Sequence, residues 1–187
     1  MLPYDGKVLY QDAFVNQAEA DHLFKTLNHA LNWQPDEVKI FGKTIITKRK
    51  VVWLGEHDYT YSGVLKKAQP WHPALLCLKA KLAEEGMIFN SCLCNYYHDG
   101  NESMGYHADD EKELGINPTI ASISLGASRL FYFKHRKTKE VIKTPLHHGS
   151  LLVMAGETQH HWLHSLPKMM RVKTPRINLT FRLIKDI

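Results

Sequence analysis

Leu23, Phe24, Leu27, Ala30 and Leu31 recur at the spacing of one helix face. Asn16 stands where a helix cap is needed, with Glu19 at the capping-box position. A second helix is expected to start near Pro73, a good first-turn residue, and to end at Gly86, with Leu75, Leu78 and Leu82 among its apolar positions. Between them, residues 38–52 are short and strand-like, with Phe41-Gly42-Lys43 as a turn and Lys48-Arg49-Lys50 as a basic cluster. The first third therefore reads as mainly helical. The second half changes period: residues 89–97, 120–125, 130–134, 140–145, 150–154 and 176–184 read as strands. Turn signals separate them at Asp99-Gly100, Asn117-Pro118, Gly126 and Gly156. Many short strands in succession predict an α+β chain with a β-sandwich or jelly-roll core and the N-terminal helices packed on one outer face.

Composition narrows the picture little. The chain has 187 residues, 44% hydrophobic and 23% charged, which suits one globular domain with a sizeable core. A formal charge of +5 favours a polyanionic partner such as nucleic acid, although a solvated basic surface explains the charge as well. No long apolar run predicts a transmembrane helix. Residues 1–15 contain Asp5 and Asp12 and lack the basic-then-apolar layout of a signal peptide. Cys77, Cys92 and Cys94 form no disulfide framework, so reduced thiols and a cytoplasmic setting (nuclear in a eukaryote) are expected. Cys92 and Cys94 sit in an alternating apolar stretch and read as core. No internal repeat, low-complexity tract or linker is evident.

Three residue groups carry candidate chemistry. In His107-Ala108-Asp109, residues two apart on an extended segment point to the same side and can reach one metal ion. His147, His148, His160, His161 and His164 form a second group. One of them can complete a two-histidine, one-carboxylate face, which binds non-haem Fe(II) and leaves positions open. His164 is favoured, because it follows Trp162 in an expected strand across the sandwich from His107. The third group is the alternation from 176 to 183. Arg176, Asn178, Thr180 and Arg182 lie on one face, and Ile177, Leu179, Phe181 and Leu183 on the other. A half-buried strand with its polar face in water explains this pattern. So does a wall that holds a dicarboxylate, since the planar guanidinium pairs with carboxylates at two points.

The order Asn95-x-Tyr97, His107-x-Asp109, His164, Arg176-x-Asn178-x-Thr180-x-Arg182 resembles the AlkB family of Fe(II)- and 2-oxoglutarate-dependent dioxygenases. Surrounding stretches match too, among them Asn95-Tyr96-Tyr97-His98-Asp99-Gly100 and His164-Ser165-Leu166-Pro167. The resemblance runs from about residue 38 to 184 and implies a double-stranded β-helix core. It implies one domain over 1–187, with a nucleotide-recognition region over about 1–90 and the catalytic core over about 90–187. His107, Asp109 and His164 would ligate iron. Asn95, Tyr97, Arg176, Asn178, Thr180 and Arg182 would form the 2-oxoglutarate wall, with Tyr97 and Arg176 at the distal carboxylate.

The implied reaction, with O2 as oxidant, removes methyl groups from 1-methyladenine and 3-methylcytosine in DNA, duplex or single-stranded, or in RNA. It repairs alkylation damage and releases formaldehyde, succinate and carbon dioxide. A base in a duplex must be flipped out to reach a buried metal. The resemblance offers Tyr59 and Tyr61 in a substrate lid, Glu111 as an acceptor for a base amine, and Phe41 as a wedge in the base stack. Each has a plainer role as loop or packing residue. Lys43, Lys48, Arg49 and Lys50, or Arg129, Lys134, Arg136 and Lys137, are candidates to grip phosphates. A monomer without membrane attachment is expected. The competing readings are an AlkB-like dioxygenase acting on modified RNA or protein, a non-catalytic nucleic-acid-binding module on the same fold, and a zinc jelly roll using the histidines of 147–164.

Overall fold

A computed structural model describes residues 2–40, 43–61 and 64–185. Phe41 and Gly42 of the expected turn lie outside the described residues, as do the side chains of Lys43, Tyr59 and Tyr61. In chain order the elements are β1 (Lys7–Gln11), α1 (Gln17–Ala30), β2 (Gln34–Ile40), β3 (Lys43–Gly55), β4 (Tyr59–Tyr61), β5 (Val64–Lys66), α2 (Pro73–Glu84), β6 (Ser91–Tyr97) and β7 (Met104–His107). They continue with β8 (Ile120–Gly126), β9 (Arg129–His135), β10 (Val141–Leu146), β11 (Leu151–Ala155), α3 (Thr158–His161), β12 (Trp162–Leu166) and β13 (Arg176–Arg182). No helix among the described residues is long and apolar enough to cross a membrane.

Both long helices begin where their caps place them. The Asn16 carboxamide oxygen accepts from the Glu19 amide at 3.0 Å, and Pro73 opens α2 directly after its cap, His72. The expectation of a mainly helical first third is corrected, however. β1, β2 and β3 also come from this region and join the larger of two sheets. That sheet has seven strands in the order β1-β11-β8-β13-β6-β3-β2, and it faces a four-stranded sheet ordered β10-β9-β12-β7. β4 and β5 form a separate hairpin. The two facing sheets make the jelly roll.

Two apolar layers follow. One lies between the seven-stranded sheet and the helices, joining Leu23, Leu27, Leu75, Leu78 and Leu82 to Cys92, Cys94, Ile123, Ile177, Leu179 and Phe181. The helices thus cover one outer face, and Cys92 and Cys94 are core residues as expected, while Cys77 is exposed. The other layer lies between the sheets and includes Trp53, Leu93, Phe133, Leu152, Met154 and Trp162. β13 runs between β8 and β6, so all seven of its residues are buried. Its apolar face packs against the helix layer, and its polar face turns into the sandwich rather than into water. Leu183 does not extend the apolar face; it follows the strand and is 40% exposed.

Candidate active site

β7 and β12 pair antiparallel so that His107 stands directly opposite His164. Their rings approach to 4.2 Å between centroids. Asp109 follows His107 by two residues, and one ligand atom from each of the three lies within 4.8 Å of the others. The His107 Nδ1–H donates to the Gly105 carbonyl at 2.9 Å, because a carbonyl can only accept; Nε2 is thereby left as the free lone pair. Burial pushes the Asp109 carboxyl up, but the positive charge of Arg182, with His164 and His107, outweighs it and lowers the value to about 2. Burial, reinforced by His107 and Arg182 and opposed by Asp109, lowers His164 to about 3. At neutral pH the carboxylate is ionised and the imidazole neutral, the forms that bind metal. Two imidazoles and one carboxylate on one face suit non-haem Fe(II).

The metal-binding triad opens onto a cavity between the sheets. Its back wall is the polar face of β13 together with Asn95 and Tyr97 of β6, and Leu93, Met104 and Phe131 add apolar surface. Register explains the wall: Arg176 pairs with Tyr97 and Asn178 with Asn95, so these side chains share one face. Arg182 donates to Asp109 Oδ1 at 3.0 Å. Thr180 donates to Asn178 Oδ1 at 3.0 Å, and Asn178 Nδ2 donates to Ser122 Oγ at 2.7 Å.

Arg176 lies at the other end of this wall and is 2% exposed. Nη2 donates to Ser124 Oγ at 3.0 Å, and the guanidinium carbon lies 5.5 Å from the Tyr97 ring centroid. No carboxylate pairs with Arg176 among the described residues, and its Nε has no hydrogen-bond partner. The Asn95 carboxamide oxygen is likewise buried without a partner. Burial lowers the arginine's pKa to about 10, which still leaves it charged. A buried, uncompensated cation is expensive. An anionic ligand that reaches from the metal to Arg176 removes that penalty, and a dicarboxylate such as 2-oxoglutarate fits both ends.

The structure thus brings together His107, Asp109, His164, Asn95, Tyr97, Arg176, Asn178, Thr180 and Arg182 around one cavity. Of the suggested substrate residues, Arg49 and Glu111 do not line this cavity. Glu111 is half-buried just before a short 3₁₀ helix, Lys112–Leu114, outside the cavity lining. Arg49 corrects the expectation of a phosphate contact. It is 4% exposed and ion-paired with Asp36, which also holds Lys66 at 2.9 Å. Arg129 is corrected in the same way: it is 1% exposed and donates to the carbonyls of Asp99, Glu102 and Pro167. Arg136 remains exposed, 3.3 Å from Asp110.

Three residues with a part in the site escaped the sequence reading. Ser122 and Ser124 interrupt an apolar run at a spacing of two, a signal that one face of β8 meets polar groups. Gln159, 1% exposed on α3, accepts the Asp109 backbone N–H at 2.9 Å and holds the ligand segment in place. Nothing in its local sequence announces that contact.

The comparisons with known proteins agree with this geometry. The family model described as 2OG-Fe(II) oxygenase superfamily matches residues 7–182. The chain is 41% identical to the bovine (Bos taurus) alpha-ketoglutarate-dependent dioxygenase alkB homolog 3 over 96% of its own length and 66% of the relative's. It is also 41% identical to the mouse (Mus musculus) DNA oxidative demethylase ALKBH2, over 90% of its length and 76% of the relative's. It therefore spans about two thirds to three quarters of these relatives. Among solved structures, that of OsALKBH1 superposes with a TM-score of 0.67 over 98% of both chains at 14% identity, which shows a shared fold. The cavity's donor set and these matches agree: the chain belongs to the 2OG-Fe(II) oxygenase superfamily and, within it, to the AlkB family.

Proposed function

We propose that this chain repairs alkylated DNA by oxidising the methyl group on the ring nitrogen of 1-methyladenine or 3-methylcytosine. Like its superfamily, it uses Fe(II), 2-oxoglutarate and O2. The observation that carries the reading is Arg176, a buried guanidinium without a carboxylate partner among the described residues, at the far end of a cavity that begins at the His107–Asp109–His164 cluster. In this reading His107, Asp109 and His164 hold the iron. Arg176 and Tyr97 take the distal carboxylate of 2-oxoglutarate, while Asn95, Asn178, Thr180 and Arg182 line the path to the metal. The bound iron supplies the redox chemistry that couples O2 to oxidative decarboxylation of 2-oxoglutarate.

Atoms balance as follows. 2-Oxoglutarate loses carbon dioxide and gains one oxygen atom to become succinate. The second oxygen atom enters a methyl C–H bond, and the resulting hydroxymethyl group leaves nitrogen as formaldehyde. The protein's own contribution is placement: Leu93, Met104 and Phe131 keep the cavity partly apolar, and His107 lines it half-buried. DNA is the proposed partner because the mouse relative is named a DNA oxidative demethylase and because the formal charge is +5. The flipped base would meet Tyr59, Tyr61 and Glu111, with Phe41 filling the stack.

The test is direct. The protein, loaded anaerobically with Fe(II), receives 2-oxoglutarate, O2 and oligonucleotides carrying 1-methyladenine or 3-methylcytosine, as single-stranded DNA, duplex DNA and RNA. Mass spectrometry is expected to record methyl loss from DNA that requires 2-oxoglutarate and is absent in His107→Ala. Succinate formation without methyl loss would reject the substrate and keep the iron site.

A further inference from the structure

Two histidines and one aspartate converge a second time, outside the cavity. Asp5 precedes β1, His135 ends β9 and His161 ends α3, yet one ligand atom from each lies within 4.8 Å of the others. We propose that this cluster binds a zinc ion that fastens the amino-terminal segment to the four-stranded sheet.

His135 carries the argument. Its side chain is 3% exposed, and its Nε2, directed at Asp5, has no hydrogen-bond partner. The Asp5 Oδ2 atom is 3.4 Å away. A charge-assisted N–H···O bond would draw these atoms to roughly 2.7–2.9 Å. Two donors on a tetrahedral zinc, each about 2.0 Å from the metal, stand roughly 3.3 Å apart. The observed gap fits a shared ion better than a hydrogen bond.

The far side of the ring fixes its tautomer and offers an outlet for its proton. Nδ1 lies 3.0 Å from the Thr138 backbone nitrogen, whose N–H can only donate, and 2.9 Å from Thr138 Oγ1. Without an ion the ring proton therefore sits on Nε2, facing the Asp5 carboxylate. Zinc at Nε2 displaces that proton, and the neutral ring then carries its proton on Nδ1, where Thr138 Oγ1 accepts it.

The surroundings are built to hold the ring. Tyr4 meets it edge-on at 5.0 Å and Trp162 packs at 4.9 Å, while the His161 ring lies nearly parallel at 6.2 Å. Glu157 Oε2 is 3.7 Å from His161 Nε2, so the local charge favours a cation. Asp5 adopts a φ of 49°, a left-handed conformation uncommon outside glycine. The segment around it is tied down by the Trp162 indole N–H on the Tyr4 carbonyl at 3.0 Å and by the Lys7 amide on the Thr158 hydroxyl of α3 at 2.9 Å. A strained aspartate held against a buried imidazole is the arrangement expected where a ligand repays the strain.

The test counts metal. After dialysis of the full chain against zinc and removal of loose ion, elemental analysis is expected to find two zinc ions per chain, one at each cluster. Asp5→Asn and His161→Ala, at side chains 51% and 41% exposed, are each expected to retain one. In the His107→Ala background, zinc is expected to raise the melting temperature, and adding His161→Ala to abolish that rise. Equal zinc content in the wild type, Asp5→Asn and His161→Ala overturns the proposal, as does a His107→Ala chain whose melting temperature ignores zinc. Demethylation by His161→Ala at saturating Fe(II) is expected to equal wild type, which separates this site from the iron centre.

Discussion

Arg176 is charged, 2% exposed and without a carboxylate beside it among the described residues. Two consequences of opposite sign follow from that one fact. Arg176→Met removes a cation whose burial the apo-protein does not compensate, so unfolding of the apo form in urea is expected to show a gain of about 1–3 kcal/mol. The same change removes the partner of the 2-oxoglutarate carboxylate, and the KM for 2-oxoglutarate is expected to rise by about 30-fold or more, corresponding to a loss of roughly 2–5 kcal/mol. A drop in stability with KM unchanged would mean that the guanidinium serves packing. Gln159 offers a complementary case. Its carboxamide oxygen meets Asp109 at the backbone N–H, not at the carboxylate, so it is a positioning residue. Gln159→Leu is expected to weaken Fe(II) affinity by about 10–100-fold, while kcat at saturating iron stays near wild type. Titration of activity with Fe(II) reads both numbers.

At the scale of elements, legibility depended on whether a segment's own pattern or its neighbours decided its state. The helices at Gln17–Ala30 and Pro73–Glu84 carried caps and periodicity within themselves, and both formed where expected. β13 was equally visible as a strand, but alternation cannot tell a surface strand from a central one whose polar face lines a cavity. Only pairing on both sides, with β8 and β6, decides that. β1 and β7 are hard to read from sequence because five and four residues carry too short a pattern, even with Val8 and Tyr10 in the first. They are strands because β11 and β12 supply partners. The triad pair His107 and His164 was legible as a motif, whereas their face-to-face register was a property of that pairing. Loop chemistry also has a testable consequence here. Gly100 and Met169 belong to two loops joined by backbone bonds, Met169 N–H to the Gly100 carbonyl at 2.8 Å and Gly100 N–H to Val172 at 2.9 Å. A methyl group at Gly100 would come within 1.8 Å of the Met169 carbonyl oxygen. Gly100→Ala is therefore expected to lose about 1–3 kcal/mol in urea denaturation, by forcing the loops apart.

For the whole molecule, the cavity matters because its walls belong to different sheets. His107 and His164 stand on the four-stranded sheet, Asn95 and Arg176 on the seven-stranded sheet, and Asp109 is linked to the latter through Arg182. A ligand set that engages both walls binds the folded sandwich and has no counterpart in the unfolded chain, so it must stabilise the fold by mass action. With a redox-inert divalent metal in place of iron and 2-oxoglutarate at about 100 times its dissociation constant, the gain is about 2.7 kcal/mol. In a chain of 187 residues that corresponds to a rise in melting temperature of roughly 5–10 °C. Chelating the metal is expected to remove most of the rise, since one carboxylate then loses its anchor, and Arg176→Met to remove it with metal still bound. If 2-oxoglutarate raised the melting temperature equally with and without metal, the two walls would be binding it independently, and the bridging geometry inferred from Arg176 and the His-Asp-His cluster would be wrong.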